Sequence, residues 1–299
     1  MATSITIGTS MDADYIYSRL GKELSILQGE GIDVLLEQNC RGNYTFLDCS
    51  IEEAKKPEQE MILRHYVANA ISDAILSQWE YLILKKIMKT HYYYLSPEEK
   101  ENVLTKAKKI LETVSNCEED NYLLYRLNRK SKILHKVLDY LSQNNCINID
   151  GFINFRLQDY IEDLNKVIEQ AVDELLLEKE YQEFIMLLKY FVDIQEPRLE
   201  KVHVLLLPSG SFQLFDDQNK FINNECLEGC MVEMIDNEIN YEDLLISALI
   251  TIAPREIVVH IPERAKVYNI IKTLQGVFGE RLVICNGCTR CSSKNRHTH

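Results

Sequence analysis

Apolar residues recur at three- and four-residue steps between Phe152 and Pro197, and the rest of the chain is arranged on either side of that stretch. Leu157, Tyr160, Ile161, Leu164, Val167, Ile168, Ala171, Val172 and Leu175 fall on one face of a helix. Asp150 stands where an N-cap can accept backbone N–H groups of the first turn. No glycine or proline interrupts the run before Pro197. One helix of that length would extend roughly 60 Å, more than a compact domain of this size uses. The pattern therefore predicts a bend or break near Leu177–Glu180, then a second helix with Tyr181, Phe184, Ile185, Leu188, Phe191 and Val192 inward. The opposite face is acidic, with Asp159, Glu162, Asp163, Glu169, Asp173, Glu174, Glu178, Glu180 and Glu183. A solvated face explains these acids better than a metal site does. Carboxylate di-metal helices need Glu-x-x-His, and no histidine lies between His135 and His203.

Before this stretch the period changes twice. Ser4–Thr9 reads as a strand, Tyr15–Leu27 as a helix capped by Ser10 or Asp12, and Ile32–Glu37 and Asn43–Ile51 as strands about a turn at Cys40-Arg41-Gly42-Asn43. The Gly8-Thr9-Ser10 turn into a helix has a single glycine and no Gly-Lys-Ser/Thr, so it is a plain turn and not a phosphate cradle. Lys55-Lys56-Pro57 is a linker, and Glu58–Asn145 is helical. Ser96-Pro97-Glu98-Glu99 starts one helix with a capping box, running to about Val114; another covers Tyr122–Leu141. His91-Tyr92-Tyr93-Tyr94 lies between helices and is read as a packing wedge.

After Pro197 alternation takes over. Lys201–Leu207 and Ser211–Phe215 form a hairpin about Pro208-Ser209-Gly210, and Met231–Ile235 is a third strand. Asp216–Lys220 is a polar turn lacking the glycine and closing glutamate of a calcium loop. A buried helix at Tyr241–Ile252 precedes a strand–helix–strand unit, Glu256–Ile261, Glu263–Phe278 and Arg281–Cys285, whose two strands should be parallel. The expected class is mixed α/β, with one small mixed sheet drawn from both ends of the chain and a helical middle. The segments are 1–56 (β-α-β-β), 57–148 (helical), 149–198 (central acidic helices), 199–291 (α/β) and 292–299 (a flexible tail).

Composition narrows the partners. The 299 residues carry a formal charge of −13, which repels nucleic acid and anionic membrane. The longest apolar run, Leu244–Ala253, is too short to span a bilayer. The N-terminal residues lack a basic region and an apolar core, so no signal peptide is expected and the expected location is the cytoplasm. Nine cysteines, an odd number, then read as reduced thiols.

The central stretch also carries a resemblance. Arg156-Leu157-x-Asp159-Tyr160, Ala171-Val172-Asp173-Glu174, Glu178-Lys179-Glu180-Tyr181-x-Glu183-Phe184-Ile185 and Leu188–Pro197, continuing into Val202-His203-Val204, resemble the YtxC-like family of sporulation-associated proteins of endospore-forming Firmicutes. By element order the resemblance covers roughly residues 60 to 285. It implies a setting, sporulation, and brings with it no activity, cofactor or catalytic residue.

Gly-x-Ser-x-Gly, His-Glu-x-x-His and the dinucleotide fingerprint are all absent from the sequence, which points away from an enzyme. One constellation invites metal: Cys285-Asn286-Gly287-Cys288-Thr289-Arg290-Cys291, at the carboxyl end of a predicted parallel strand. Thiolates at this spacing can turn toward one Zn²⁺ or an iron–sulfur cluster, with His260 as fourth ligand and Cys226 and Cys230 as other candidates. Against it, a ferredoxin run wants a cysteine where Asn295 stands, and a second Cys-x-x-Cys knuckle is missing. From the residues alone, no cofactor is favoured. The basic cluster Arg126, Arg129, Lys130, Lys132 and Lys136 is a nucleic-acid patch or a surface that docks on acidic residues, and the overall charge favours docking. The leading functional reading is an interaction or scaffold protein with another protein as partner.

Overall fold

The computed structural model describes residues 3–51, 57–113, 120–207, 211–222, 241–261, 268–288 and 291. They belong to two compact units, Met1–Leu176 and Leu177–His299.

The first unit contains β1 (Thr3–Thr9), α1 (Ala13–Gly29), β2 (Val34–Arg41), β3 (Tyr44–Ile51), α2 (Pro57–Ala74), α3 (Glu80–His91), α4 (Pro97–Thr113), α5 (Asp120–Gln143), β4 (Cys146–Asn148) and α6 (Ile149–Arg156). A π-helical turn, Ile75–Trp79, joins α2 to α3. The sheet runs β2-β3-β1-β4, antiparallel except where β4 lies parallel to β1. Alternation sends Ile5, Ile7, Leu47, Cys49 and Ile51 into a core shared with Leu20, Leu63, Ile71, Ile133 and Leu141 of the helices. The β2–β3 turn needs φ of +64° at Gly42, which glycine adopts without strain. The capping box forms in full: the Ser96 backbone N–H donates to Glu99 Oε2 (2.6 Å) and the Glu99 N–H to Ser96 Oγ (3.2 Å).

The helix α7 (Gln158–Ile194) is continuous, so of the bend or break expected near Leu177–Glu180 the break does not occur. The expectation assumed a single core. In fact Leu164, Ile168, Ala171 and Val172 are buried in the first unit's core, and Ile185 and Val192 in the second's. A helix serving two cores is not limited by the width of either.

The second unit holds β5 (Leu199–Leu206), β6 (Phe212–Asp216), α8 (Tyr241–Ile252), β7 (Pro254–His260), α9 (Tyr268–Phe278) and β8 (Leu282–Ile284). Its sheet runs β6-β5-β7-β8, with β6 antiparallel to β5 and the other pairs parallel. Val202, Val204, Leu206, Leu214, Ile257 and Val259 face a core filled by Leu245, Leu249, Leu274 and Val277. The α7–α9 contact is close: a Cβ on Gly276 would stand 2.9 Å from Ile185 Cγ2.

The mixed α/β class is thus observed, but the strands of the two chain ends form two sheets and not the single one expected. Each set of strands is completed inside its own unit, by β4 in the first and by β7–β8 in the second. Residues 208–210, 231–235 and 292–299, read above as a turn, a strand and a tail, lie outside the described residues.

Candidate metal centre

Alternation along β7 points Ile257 and Val259 into the core, so Val258 and His260 take the other face. The β7–β8 register pairs Val259 with Ile284, and the Cys285 N–H donates to the Val259 carbonyl at 2.9 Å. Cys285 is therefore the next rung, beside His260 at the carboxyl ends of two parallel strands. Gly287 then takes φ +122°, and the chain turns Cys288 and Cys291 toward His260. The Nδ1 of His260 lies 3.3 Å from Cys288 Sγ and 3.5 Å from Cys291 Sγ, and the two sulfurs are 3.8 Å apart. All four potential ligand atoms, from His260, Cys285, Cys288 and Cys291, lie within 4.8 Å of one another.

These distances suit one small cation. Zinc at about 2.3 Å from sulfur and about 2.0 Å from nitrogen makes a tetrahedron with edges of about 3.8 Å between sulfurs and about 3.5 Å from sulfur to nitrogen. Thiolates around a [4Fe–4S] cluster each hold a different iron and stand farther apart than one tetrahedral edge. Burial pushes the Cys291 thiol above its ordinary pKa; neighbouring Cys285 and Cys288 raise it further, against a hydrogen bond from the Cys288 backbone. A divalent cation among them would reverse that balance. Cys49 behaves differently: burial, helped by Asp48, lifts its thiol to about 12, so it stays protonated inside the first core.

His260 is buried, 3% exposed, and its Nε2 lies 3.0 Å from Nδ1 of His203 on β5. The sequence reading passed over His203 as a site residue. The available signal was the alternation Val202-His203-Val204, which puts His203 on the face shared with His260. Cys226 and Cys230 lie outside the described residues.

The basic cluster is largely engaged within the first unit. Arg129 pairs with Glu80, Lys130 with Asp73 (2.8 Å), Lys132 with Asp163 (3.4 Å) and Lys136 with Asp159 (2.6 Å). The hydrogen bond from Lys136, with its charge, holds the Asp159 carboxyl below the usual range. These are the docking contacts weighed above against nucleic acid, and two of them use acids of the central helix. Asp150 does not cap that helix. Asn148 caps α6, accepting from the Gly151 N–H at 2.8 Å, while Asp150 accepts from Ser10 N–H, Ser10 Oγ and Trp79 Nε1. Among the described residues no helix is long and apolar enough to cross a membrane.

The family model described as the YtxC-like family matches residues 65–283. The chain belongs to the YtxC-like family. One relative, described as uncharacterized protein YtxC of Bacillus subtilis (strain 168), is 29% identical over 198 residues, covering 64% of this chain and 66% of the relative. The matched stretch thus spans just under two thirds of that relative. No solved structure matches the chain. The family match contains His203 and His260 and ends two residues before Cys285.

Proposed function

We propose that the second unit is a zinc-binding module in which Cys285, Cys288, Cys291 and His260 hold one Zn²⁺ and fasten the segment after β8 to the end of β7. The observation that supports it is the spacing of His260 Nδ1 and the Cys288 and Cys291 sulfurs at the edges of a zinc tetrahedron. From sequence alone inert thiols were favoured. That preference gives way because the chain after Gly287 returns onto a buried histidine. Four protein ligands leave no position for substrate, so the metal is structural and the protein is not an enzyme at this centre. Thiolate ligation needs a reducing compartment, which agrees with a cytoplasmic protein acting in the sporulation setting that the family resemblance implies. The full-length protein purified without oxygen should carry one zinc per chain, held more weakly in Cys288→Ser. Iron with visible charge-transfer absorption would point to a cluster instead. Metal-free protein that takes up no added zinc would overturn the proposal.

A second reading, an interaction protein, is favoured by the second half of α7. Leu177, Phe184, Leu187, Phe191 and Ile194 recur at heptad-like spacing and are 44–65% exposed. That stripe, and less so the acidic face, fits the apolar side of a helix from another chain. A second copy is the partner to test first. The reading expects a mass that doubles with concentration and returns to monomer in Phe184→Glu; a monomer at all concentrations would remove self-association.

A further inference from the structure

Resting on the zinc reading, we infer that His203 is the positioning residue of the centre: its Nδ1 accepts the Nε2 proton of His260 and so fixes His260 with its Nδ1 lone pair toward Cys288 and Cys291. A neutral imidazole carries one N–H and one lone pair. Metal ligation by Nδ1 puts the proton on Nε2. His260 is almost fully buried, so that N–H needs an acceptor, and the His203 Nδ1 at 3.0 Å supplies one. The reverse tautomer would aim an N–H, not a lone pair, at the two sulfurs 3.3 and 3.5 Å away.

The fold delivers this contact through register. Parallel pairing sets His203 opposite Val258 and Leu205 opposite His260, so the two histidines are diagonal neighbours on one face of the sheet. Their rings lie 5.2 Å apart between centroids, tilted by 35°. On the other side of β5, His203 is paired in register with Phe215 of β6. β5 lies 50 residues or more from every other member of the centre in sequence, so His203 links a third strand to a metal whose ligands all come from β7 and the segment after β8. Outer partners of ligating histidines set ring orientation and ligand basicity, and their loss lowers metal affinity by about 10–100-fold.

The test compares full-length wild type, His203→Leu and His203→Asn. Leucine keeps apolar volume and removes the acceptor. Asparagine restores an acceptor oxygen near the position of Nδ1. Zinc affinity is read by competition with a chromophoric chelator, the ligand field by the absorption of bound Co²⁺, and packing by urea unfolding of the metal-free proteins. The expected result is zinc affinity about 10–100-fold weaker in His203→Leu, with an altered Co²⁺ spectrum, and recovery of most of the loss in His203→Asn. Metal-free unfolding midpoints should be alike in all three. Equal zinc affinity in wild type and His203→Leu would overturn the positioning role while leaving the zinc reading intact. Equal losses in both variants, matched by equal losses in metal-free stability, would overturn it in favour of packing. A wild type that binds no zinc would overturn both.

Discussion

With zinc held as proposed, stripping the metal or replacing Cys288 with alanine is expected to loosen the end of the second unit while sparing the first. Zinc bound to the folded state alone stabilises it by mass action, by about 4 kcal/mol when free metal is a thousand times Kd. For a unit of this size that corresponds to a fall of about 10–15 °C in its unfolding temperature. The effect should concentrate where the centre joins β7 to β8. β8 is only three residues long, Leu282–Ile284, with Val283 and Ile284 exposed, so little apolar burial holds it in place. Hydrogen exchange provides the check. The Cys285 N–H, bonded to Val259, and the β8 amides should lose protection in Cys288→Ala and in chelator-treated wild type. Amides of β1 and β3, inside the other core, should be unchanged. Unaltered protection at Cys285 after verified metal loss would show that the centre does not secure this strand.

The second large effect belongs to the first unit. Glu80 accepts from both Arg129 and Tyr160, and the Glu80 and Arg129 side chains are only 15% and 12% exposed. Burial and the Glu80 carboxylate push the Tyr160 hydroxyl well above its ordinary pKa, so it remains a donor across the neutral range. Glu80→Ala would take the carboxylate away from a mostly buried guanidinium, at a cost of about 3–5 kcal/mol. Tyr160→Phe removes only one donor and should cost about 1 kcal/mol. The double variant Glu80→Leu/Arg129→Met should recover most of the loss, because it removes both charges together. Urea unfolding of zinc-loaded protein separates these outcomes. A Glu80→Ala loss no larger than that of Tyr160→Phe would mean that water screens the pair.

Local signals were the legible part of this fold. The Ser96/Glu99 capping box, the Gly42 turn and the β7–α9–β8 crossover each depend on residues close in sequence, and each forms as its chemistry dictates. Long-range pairing was not legible. Nothing in Cys146-Ile147-Asn148 shows that three residues will lie parallel to β1 and complete one sheet, which leaves the later strands to build another. Asp150 had the right chemistry for a cap, but Ser10 and Trp79, distant in sequence, claim its carboxylate. The same division runs through the candidate centre. The thiol spacing and the strand-end position of His260 could be read directly. The contact of His203 with His260 depends on the offset between two parallel strands, which their sequences do not encode locally.

X-ray absorption at the zinc edge of the anaerobically purified, full-length protein tests the central claim most directly. The expected first shell is three sulfurs at about 2.3 Å and one nitrogen at about 2.0 Å, falling to two sulfurs when Cys288 is replaced by serine. A shell made only of nitrogen and oxygen, or one unchanged by that replacement, would place the metal elsewhere and contradict the assignment of Cys285, Cys288, Cys291 and His260.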